Sequence, residues 1–362
     1  MQTGNKKKML YIMGIDWDWI YQRPQIIAEF LSNDFDITVA YPVKIWDKHT
    51  VKECNNEKKA IHKLKLWVFP FQGKSRLIGR IADQYRKICL RNYQLYDYIY
   101  IDYPTYIQYI PEDYNGCIIY DCIDDHVQMC AKKYMRMQVE HTETELIQRS
   151  DVLITSSQRL LKKMQTPDLN RRINLIRNGT NFSRIFDVKN VDVKEHYNIG
   201  YIGTVAEWFD YQLINQSVQK YSGLTYHLIG PCVAPNKAET DRMVYRGVVR
   251  HSELQLYVEN FDCLIMPFLV NEIVKSVDPV KLYEYIAFGK CIISVYYEEL
   301  EYFKDYVYFY STPEEYDSLL ESLIHDGFPP KYDTQQQEKF LQVNSWEERY
   351  KLIHEAIEQV SR

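Results

Sequence analysis

The chain has 362 residues, which at roughly 100–200 residues per domain predicts two domains. Hydrophobic residues make up 46% and charged residues 26%, and this balance excludes collagen-like, disordered and disulfide-scaffold proteins. The net charge of −5 argues against a nucleic-acid-binding protein. Residues 1–183 carry 27 Lys and Arg against 21 Asp and Glu, whereas the remainder carries 17 against 28, so the first half is expected to face anions.

The residue types also bear on compartment and cofactors. The 32 Tyr against 14 Phe suit either stacking on sugars or core packing, and core packing is the expected use. None of the eight cysteines forms a Cys-x2-Cys pair, so we expect reduced, buried thiols and no metal site. The N-terminus has no apolar run of signal-peptide length, and no stretch has the ~18 apolar residues of a membrane span. A cytoplasmic protein is therefore expected.

The first half alternates apolar runs with amphipathic stretches. Strands are predicted at 9–15, 36–42, 65–71, 96–104, 117–125, 151–157 and 174–180, and helices at 23–33, 73–93 and 139–150. Continuous apolar strands separated by helices predict a parallel α/β sheet. Polar residues cluster where the strands end, which is the edge where open parallel sheets bind ligands. They are Asp16, Asp102, Asp121, Asp124 and Ser156.

The second half repeats this alternation after a charged segment, 183–197, that predicts a linker. Strands are predicted at 198–205, 225–231, 245–249, 263–268, 291–295 and 306–310, and helices at 252–261, 278–289 and 344–360. Ser345 followed by Glu348 is a helix start signal for the last of these. The pattern predicts two Rossmann-like domains.

Common catalytic fingerprints are missing: there is no Walker A loop, no G-x-G-x-x-G, no HExxH and no G-x-S-x-G. An ordered series of other motifs is present instead. The series is GIDWDWIYQRPQ (14–25), IYDCIDDH (119–126), ETELIQRSDVLITSS (143–157), IRNGT (176–180), GYIGTVAEWFDYQL (200–213), HLIGP (227–231), RGVVRHSELQLYVENFDCLIMPF (246–268) and DPVKLYEYIAFGKCIISV (278–295), followed by SWEERY (345–350). The series resembles the GT-B glycosyltransferases, in the large retaining family that contains sucrose synthases and bacterial polysaccharide enzymes. Within that family it is similar to the branch that makes teichuronic acid and other cell-surface polysaccharides.

The resemblance implies a GT-B fold, with two Rossmann-like domains facing across a cleft. The acceptor-binding domain would comprise residues 1–183 plus the C-terminal helix 344–362, which crosses back to it. Residues 184–343 would form the nucleotide-sugar-binding domain. The implied activity is transfer of a sugar, with retention, from a UDP- or GDP-sugar to a saccharide or polyprenyl-diphosphate-linked acceptor in bacterial cell-wall polysaccharide synthesis. No cofactor or metal is expected, because the nucleotide-sugar is a substrate.

The donor site has both a physical and a family argument. Lys281 and Glu284 share one helix face, where a cation and free amides suit a diphosphate and a carboxylate suits ribose hydroxyls. By resemblance Glu284 is the second Glu of the Glu-x7-Glu motif, while Ser276 replaces the first, leaving Glu272 and Asp278 as the nearest carboxylates. A capped helix with a surface ion pair is the structural alternative. The donor residues implied are Gly203, Thr204, Arg246, Gly247, Ser276, Asp278, Pro279, Val280, Lys281 and Glu284.

The first domain would supply acceptor and catalytic groups. Asp124, Asp125 and His126 follow one strand, and by position they would face the reacting sugar together with Lys281 from the other domain. A helix N-cap run is the structural alternative. The loop after the first strand offers rings for sugar stacking and polar groups for hydroxyls or phosphate, although one Trp can instead pack in the core. Its acceptor candidates are Asp16, Trp17, Trp19 and Arg23.

Residues 73–93 carry six basic residues and one acidic residue, with apolar residues at helical spacing. Such a helix suits an anionic membrane surface, and a solvated helix over the core is the alternative. The protein would then work at the inner face of the cell membrane. Two other functions stay open: a GT-B nucleotide-sugar epimerase, which needs no acceptor, and a degenerate glycosyltransferase that acts as a non-catalytic partner.

Overall fold

The computed structural model describes residues 6–44, 61–166, 168–189, 191–233, 240–250 and 253–360. The chain divides into two compact units. Unit 1 comprises Met1–Arg177 and Arg349–Arg362, and unit 2 comprises Asn178–Glu348. Unit 1 ends at Arg177, before the boundary expected after residue 183, and the segment that follows already bonds within unit 2: Thr180 N donates to Asn344 O at 3.0 Å.

Unit 1 is built on a parallel sheet with strand order β3-β2-β1-β4-β5-β6-β7. The strands are β1 (Lys8–Ile12), β2 (Asp36–Lys44), β3 (His62–Val68), β4 (Tyr98–Ile101), β5 (Cys117–Cys122), β6 (Val152–Thr155) and β7 (Ile173–Leu175). The helices are α1 (Arg23–Leu31), α2 (Arg76–Cys89), α3 (Lys133–Arg149) and α4 (Gln158–Met164). The strand order reverses between β1 and β4, and the carboxyl edge at such a switch point is where doubly wound sheets bind ligands.

Unit 2 has a second parallel sheet, with strand order β10-β9-β8-β11-β12-β13 and its switch point between β8 and β11. The strands are β8 (Tyr197–Ile202), β9 (Leu224–Ile229), β10 (Met243–Gly247), β11 (Cys263–Met266), β12 (Cys291–Val295) and β13 (Tyr308–Tyr310). The helices are α5 (Tyr211–Lys220), α6 (Leu254–Val258), α7 (Val280–Ala287), α8 (Pro313–Asp326) and α9 (Thr334–Val343), and the last helix, α10 (Trp346–Val360), begins in unit 2 and continues into unit 1 from Arg349. The predicted class, two Rossmann-like α/β sets, is confirmed.

Tyrosine fills much of both cores. Ten of the twelve largest fully buried side chains among the described residues are Tyr. Each buried ring removes a large apolar area from water, and its hydroxyl needs a partner. Tyr226 and Tyr316, for example, bond to each other through their hydroxyls at 2.8 Å. The expected core use of tyrosine is therefore observed.

The charged segment 183–197 does not form the free linker that its composition suggests. Ile185 N donates to Ala287 O at 2.9 Å, and Phe186 and Val188 pack against the core of unit 2. A few well-spaced apolar side chains therefore suffice to attach a charged segment. The strand expected at 65–71 ends earlier, at Val68, because the chain turns at Phe71, whose φ of 61° is left-handed.

The C-terminal part of α10 belongs to unit 1, as the resemblance implies. The Tyr350 ring stacks on Phe30 of α1 with centroids 5.3 Å apart, and the Tyr350 hydroxyl donates to the Asp34 carboxylate. The described cysteines are all free thiols. Within the described ranges, no helix combines the length and apolar character needed to cross a membrane.

Candidate active site

The carboxyl edge of sheet 2 holds two glycine turns beside Lys281. Gly203 follows β8 with φ +143°, and Gly230 follows β9 with φ +134°, so both have backbones that only glycine adopts readily. A Cβ on Gly203 would lie 2.1 Å from Lys281 Cε, and one on Gly230 would lie 2.3 Å from Gly203 O. The glycines therefore let two strand ends and one lysine side chain meet at the switch point.

Lys281 lies in the first turn of α7 in an apolar setting. Its Nζ is 6.0 Å from the Tyr201 ring centroid and 5.9 Å from that of Phe268. Burial lowers the Lys281 pKa, and the charge of Glu284 partly offsets this effect. A half-buried ammonium in the first turn of a helix is suited to bind an anion, because the anion replaces part of the solvation that the ammonium has lost.

The polar residues of α7 lie in its first two turns. Pro279 is the N-cap residue, Val280 begins the helix, and both Lys281 and Glu284 are half-buried one turn apart. The Tyr285 hydroxyl, on the inner side of α7, accepts from Ile202 N at 2.9 Å, directly before the Gly203 turn. This bond holds the C-terminal half of α7 against the end of β8.

Ser276 and Asp278 are buried and bonded within unit 2. The Ser276 hydroxyl donates to Ile273 O at 2.7 Å. The Asp278 carboxylate accepts from Asn178 N at 2.6 Å and from the Tyr283 hydroxyl at 3.0 Å. In this arrangement both side chains order the segment before α7, and Asp278 attaches Asn178 to it within unit 2.

The base-pocket candidates follow β10. Gly247 has φ +69°, and its carbonyl accepts from Gly230 N at 2.7 Å, so the end of β10 reaches the glycine turns. Arg246 is exposed, with Nη2 3.5 Å from His227 Nδ1. Thr204 is half-buried, and its carbonyl accepts from the Tyr201 hydroxyl at 2.8 Å. The donor candidates thus surround one edge of sheet 2.

At the switch point of sheet 1, Asp102 joins the ends of β1 and β4. Its carboxylate accepts from Gly14 N at 2.6 Å and from the Tyr11 hydroxyl at 3.1 Å. Burial raises the Asp102 pKa to about 7, although both hydrogen bonds oppose that shift. The Asp102 backbone carbonyl contacts His126 Nε2 at 2.9 Å.

Arg23 is buried in a bidentate ion pair with Asp121. Its Nε and Nη2 lie 3.0 and 2.8 Å from the two carboxylate oxygens, and the Tyr100 hydroxyl donates to the same carboxylate at 2.8 Å. Arg23 Nη1 also donates to the carbonyls of Ile176 and Arg177, at 2.9 and 3.2 Å. This geometry favours a positioning role for Arg23 inside unit 1 over direct contact with an acceptor phosphate.

The three residues after β5 have different surroundings. Asp125 is buried and paired with Lys163 at 2.8 Å, and Lys163 also binds Glu143 at 2.9 Å. Asp124 is half-buried, and burial, followed by the charge of Asp125, raises its pKa to about 6. Burial lowers the His126 pKa to about 4, so the imidazole is neutral at pH 7.

The tautomer of His126 follows from its contact. A carbonyl oxygen only accepts, so Nε2 must carry the proton that it donates to Asp102 O, and Nδ1 is left as an acceptor. The edge of the Tyr103 ring packs against the imidazole with centroids 4.9 Å apart. Asp124 and His126 therefore offer acceptor atoms at this edge of sheet 1.

The loop after β1 has one buried and one exposed tryptophan. Trp17 is buried near Tyr41, with Lys63 Nζ 5.1 Å from its ring, whereas Trp19 is 45% exposed. Asp16 is half-buried and accepts from Asp18 N at 3.1 Å. Trp19 and Asp16 are thus the candidates of this loop that solvent can reach.

Several residues that shape the site were not singled out from the sequence. The rings of Tyr201 and Phe268 lie beside Lys281, and Lys163 neutralises Asp125. The Tyr285 hydroxyl bonds to the end of β8. These roles were hard to recognise from the sequence, because Tyr and Phe in apolar runs predict only that the side chains are buried. Among the described residues, no group of three or more His, Cys, Asp or Glu could hold a metal ion.

Comparisons with known proteins bear first on the fold. The chain superposes on sucrose-phosphate synthase from Thermosynechococcus elongatus with a TM-score of 0.71, at 12% identity, over 98% of this chain and 99% of that one. It superposes on the starch synthase IV catalytic domain of Arabidopsis thaliana, bound to ADP and acarbose, with a TM-score of 0.59, at 10% identity, over 99% and 100% of the chains. The chain has the GT-B fold. The resemblance drawn from the motif series is confirmed at the level of the fold.

In sequence, the chain is 22% identical over 196 residues to a protein of Bacillus subtilis (strain 168), TuaH, which is provisionally named a teichuronic acid biosynthesis glycosyltransferase. The match covers 49% of this chain and 49% of that protein, so the chain aligns with about half the length of this relative. No protein-family model matches the chain.

Proposed function

We propose that this GT-B chain is a retaining glycosyltransferase that moves a sugar from a UDP- or GDP-sugar to a saccharide or polyprenyl-diphosphate-linked acceptor. The observation that carries the proposal is the Lys281 ammonium, held half-buried against the Gly203 turn at the start of α7. The name of the Bacillus subtilis relative supports cell-surface polysaccharide as the product, and the ADP-bound structural neighbour supports a nucleotide donor. The expected place of work is the cytoplasmic face of the membrane.

In this proposal unit 2 binds the donor. Lys281 and the first amides of α7 stabilise the charge that develops on the departing diphosphate, so the transition state gains more than the bound donor does. Glu284 accepts hydrogen bonds from the ribose hydroxyls. Arg246 and Gly247 contact the base at the end of β10.

Unit 1 would supply the acceptor side. Asp124 is the proposed proton acceptor, because a carboxyl with a pKa of about 6 is ionised at pH 7 yet basic enough to share a hydroxyl proton. Asp125 is already paired with Lys163, so we assign it to holding the loop. His126 Nδ1 would accept a hydrogen bond from a sugar hydroxyl, and Asp16 and Trp19 would contact the acceptor sugar.

The test is turnover of nucleotide sugars with and without an added saccharide acceptor. Lys281→Ala and Glu284→Ala should each lower turnover at least tenfold. Glu301→Ala and Lys304→Ala are matched controls, because these two residues form an exposed pair of unit 2 outside the candidate site, with N–O 3.1 Å. Controls that lose as much activity as the site variants would contradict the assignment.

The alternatives give different results in the same assay. Turnover that needs no acceptor and changes only the donor sugar would identify an epimerase. A chain that binds donors but turns over none, with any acceptor, would be a non-catalytic partner. Turnover that requires the acceptor and yields a glycosidic product supports the transferase.

A further inference from the structure

One helix of unit 1 presents an apolar stripe to solvent. Leu77, Ile81 and Ile88 on α2 are 69%, 52% and 60% exposed. At about 100° per residue they lie within about 40° of one another, along about 16 Å of helix. Phe71, just before the helix, is 66% exposed. Four large apolar side chains in one short segment are more than the isolated exposed residues that ordinary surfaces carry.

A different side of α2, about 60–160° around the helix from the centre of the stripe, packs on unit 1. Ala82 is buried, the Tyr85 hydroxyl donates to Lys65 O on β3 at 3.2 Å, and Arg86 Nη2 donates to Gln72 Oε1 at 3.0 Å. The helix is therefore held in place by this side, while the apolar stripe next to it is exposed to solvent. In an ordinary surface helix the large apolar residues point to the core, whereas three of those on α2 point to solvent.

A row of cations borders the stripe. Arg76, Arg80 and Lys87 are exposed and lie within about 40° of one another on the helix, beside the stripe. Asp83 is the one acidic residue in the sequence 73–93, and it is engaged by Arg86 at 3.6 Å and by the Tyr109 hydroxyl at 2.7 Å. The cationic row thus lies beside the stripe with no carboxylate of its own segment left to neutralise it.

We propose that these residues, the α2 surface (Phe71, Leu77, Ile81 and Ile88 with Arg76, Arg80 and Lys87), bind an anionic lipid bilayer. Leu and Ile would enter the boundary between headgroups and acyl chains, while the Arg and Lys stems reach the lipid phosphates. A second copy of this chain fits less well. A two-fold pair would place the same patch, with its cationic row, against itself.

The place of the α2 surface in the fold suits a membrane-bound acceptor. Phe71 and the start of α2 follow β3, so they lie at the carboxyl edge of sheet 1, where β4 and β5 deliver Asp102 and Asp124. Tyr134, exposed at the start of α3, donates to Gly73 O at 2.9 Å and ties the segment after His126 to the segment before α2. A lipid-linked acceptor would reach the candidate acceptor groups from that side.

The experiment is sedimentation of the full chain with vesicles of phosphatidylcholine alone or with 30% phosphatidylglycerol, at low and high salt. We expect binding to the anionic vesicles and its loss at high salt. At about fivefold per cation, Arg76→Gln/Arg80→Gln/Lys87→Gln should weaken binding about 100-fold. A control with the same charge change, in unit 2, should bind like the unchanged chain. It is Lys189→Gln/Lys304→Gln/Lys339→Gln, and all three of its lysines are exposed.

The apolar stripe has its own variant and control. Leu77→Ser/Ile81→Ser/Ile88→Ser should weaken vesicle binding at least tenfold, because the apolar insertion is lost. Val193→Ser/Val233→Ser/Leu256→Ser replaces exposed apolar residues of unit 2 and should change nothing. Thermal unfolding of each variant checks the fold, which exposed positions should leave intact.

Three results would overturn the proposal: equal binding to neutral and anionic vesicles, equal binding by the α2 variants and their controls, or an α2 variant that turns a dimer into a monomer while vesicle binding persists. Vesicle binding needs neither donor nor acceptor. A chain that binds vesicles but transfers no sugar would contradict the proposed function alone, and the opposite result would contradict the α2 surface alone.

Discussion

Replacing Lys281 by Met separates a donor-binding lysine from a structural one, because the two roles predict opposite effects on stability. The ammonium lies about 6 Å from two aromatic centroids, and burial lowers its pKa, so the folded protein bears a desolvation cost. Met fills a similar volume without that cost. We therefore expect Lys281→Met to fold with unchanged or higher stability in the absence of ligand.

Donor affinity should move the other way. A hydrogen bond to a charged group contributes about 1.5–3 kcal/mol, and each 1.4 kcal/mol is a tenfold change in Kd. Loss of the bond from Lys281 to the diphosphate should therefore raise the Kd of the preferred nucleoside diphosphate about 10- to 150-fold. The matching nucleoside should bind almost as before, since it has no phosphate for the ammonium to contact.

Calorimetric titration gives these affinities, and urea unfolding gives the stabilities. Lys275→Met is the matched control, since Lys275 is a nearby exposed lysine paired with Glu272. The reasoning is refuted if Lys281→Met loses more than about 1 kcal/mol of stability while its nucleoside diphosphate affinity stays within twofold. That outcome would make Lys281 part of a structural ion pair.

Three further changes test the two sheet edges. Gly203→Ala should lower the free energy of unfolding by about 1–3 kcal/mol and abolish donor binding, because the φ of residue 203 is +143° and the new Cβ would overlap Lys281. Gly73→Ala, with nothing within 4 Å, is the control in urea unfolding. The buried Asp102 carboxyl, with a pKa of about 7, lowers the free energy of unfolding as the pH rises from about 4 to 7, because the unfolded state then ionises more readily than the folded state. Between pH 5 and 8 the free energy of unfolding of Asp102→Asn should therefore fall by about 2–3 kcal/mol less than that of the unchanged chain. Parallel stability profiles for the two proteins would contradict this. Arg23→Met should lower the free energy of unfolding by about 3–5 kcal/mol, because it leaves the Asp121 carboxylate buried without its partner. The double variant Arg23→Met/Asp121→Leu should recover most of that loss. A double variant no more stable than the single one would contradict this account of the ion pair.

Most strands were predictable because they lie in continuous apolar runs, and β3 (HKLKLWV), which does not, begins at His62, before the strand predicted at 65–71. The run CIISV predicts a strand at 291–295, and β12 has those bounds. The α/β alternation then follows from run lengths, and the motif order indicates the GT-B fold. Even the helix 73–93 follows from spacing, although the sequence left open which face of α2 would meet the core.

Side chains that act across long separations were not predictable. Arg23 and Asp121 are 98 residues apart, and Asp278 accepts from a backbone amide 100 residues away. Neither contact produces a periodic pattern in the sequence. A charged residue at a strand end can pair with another charge or face a ligand, and the sequence does not distinguish the two. Spacing likewise gave no sign that Asp125 is paired with Lys163 while Asp124 is not, because that difference depends on where α4 packs.

The most direct test of the central claim is a thermal-unfolding panel with UDP, GDP, ADP and CMP, each with and without magnesium. A ligand at 100 times its Kd stabilises the folded state by about 2.7 kcal/mol, which is a readily measured shift. The account predicts that one nucleoside diphosphate raises the unfolding temperature and that Lys281→Met removes the shift. No shift with any of the four, under either condition, would contradict a nucleotide-sugar site in unit 2.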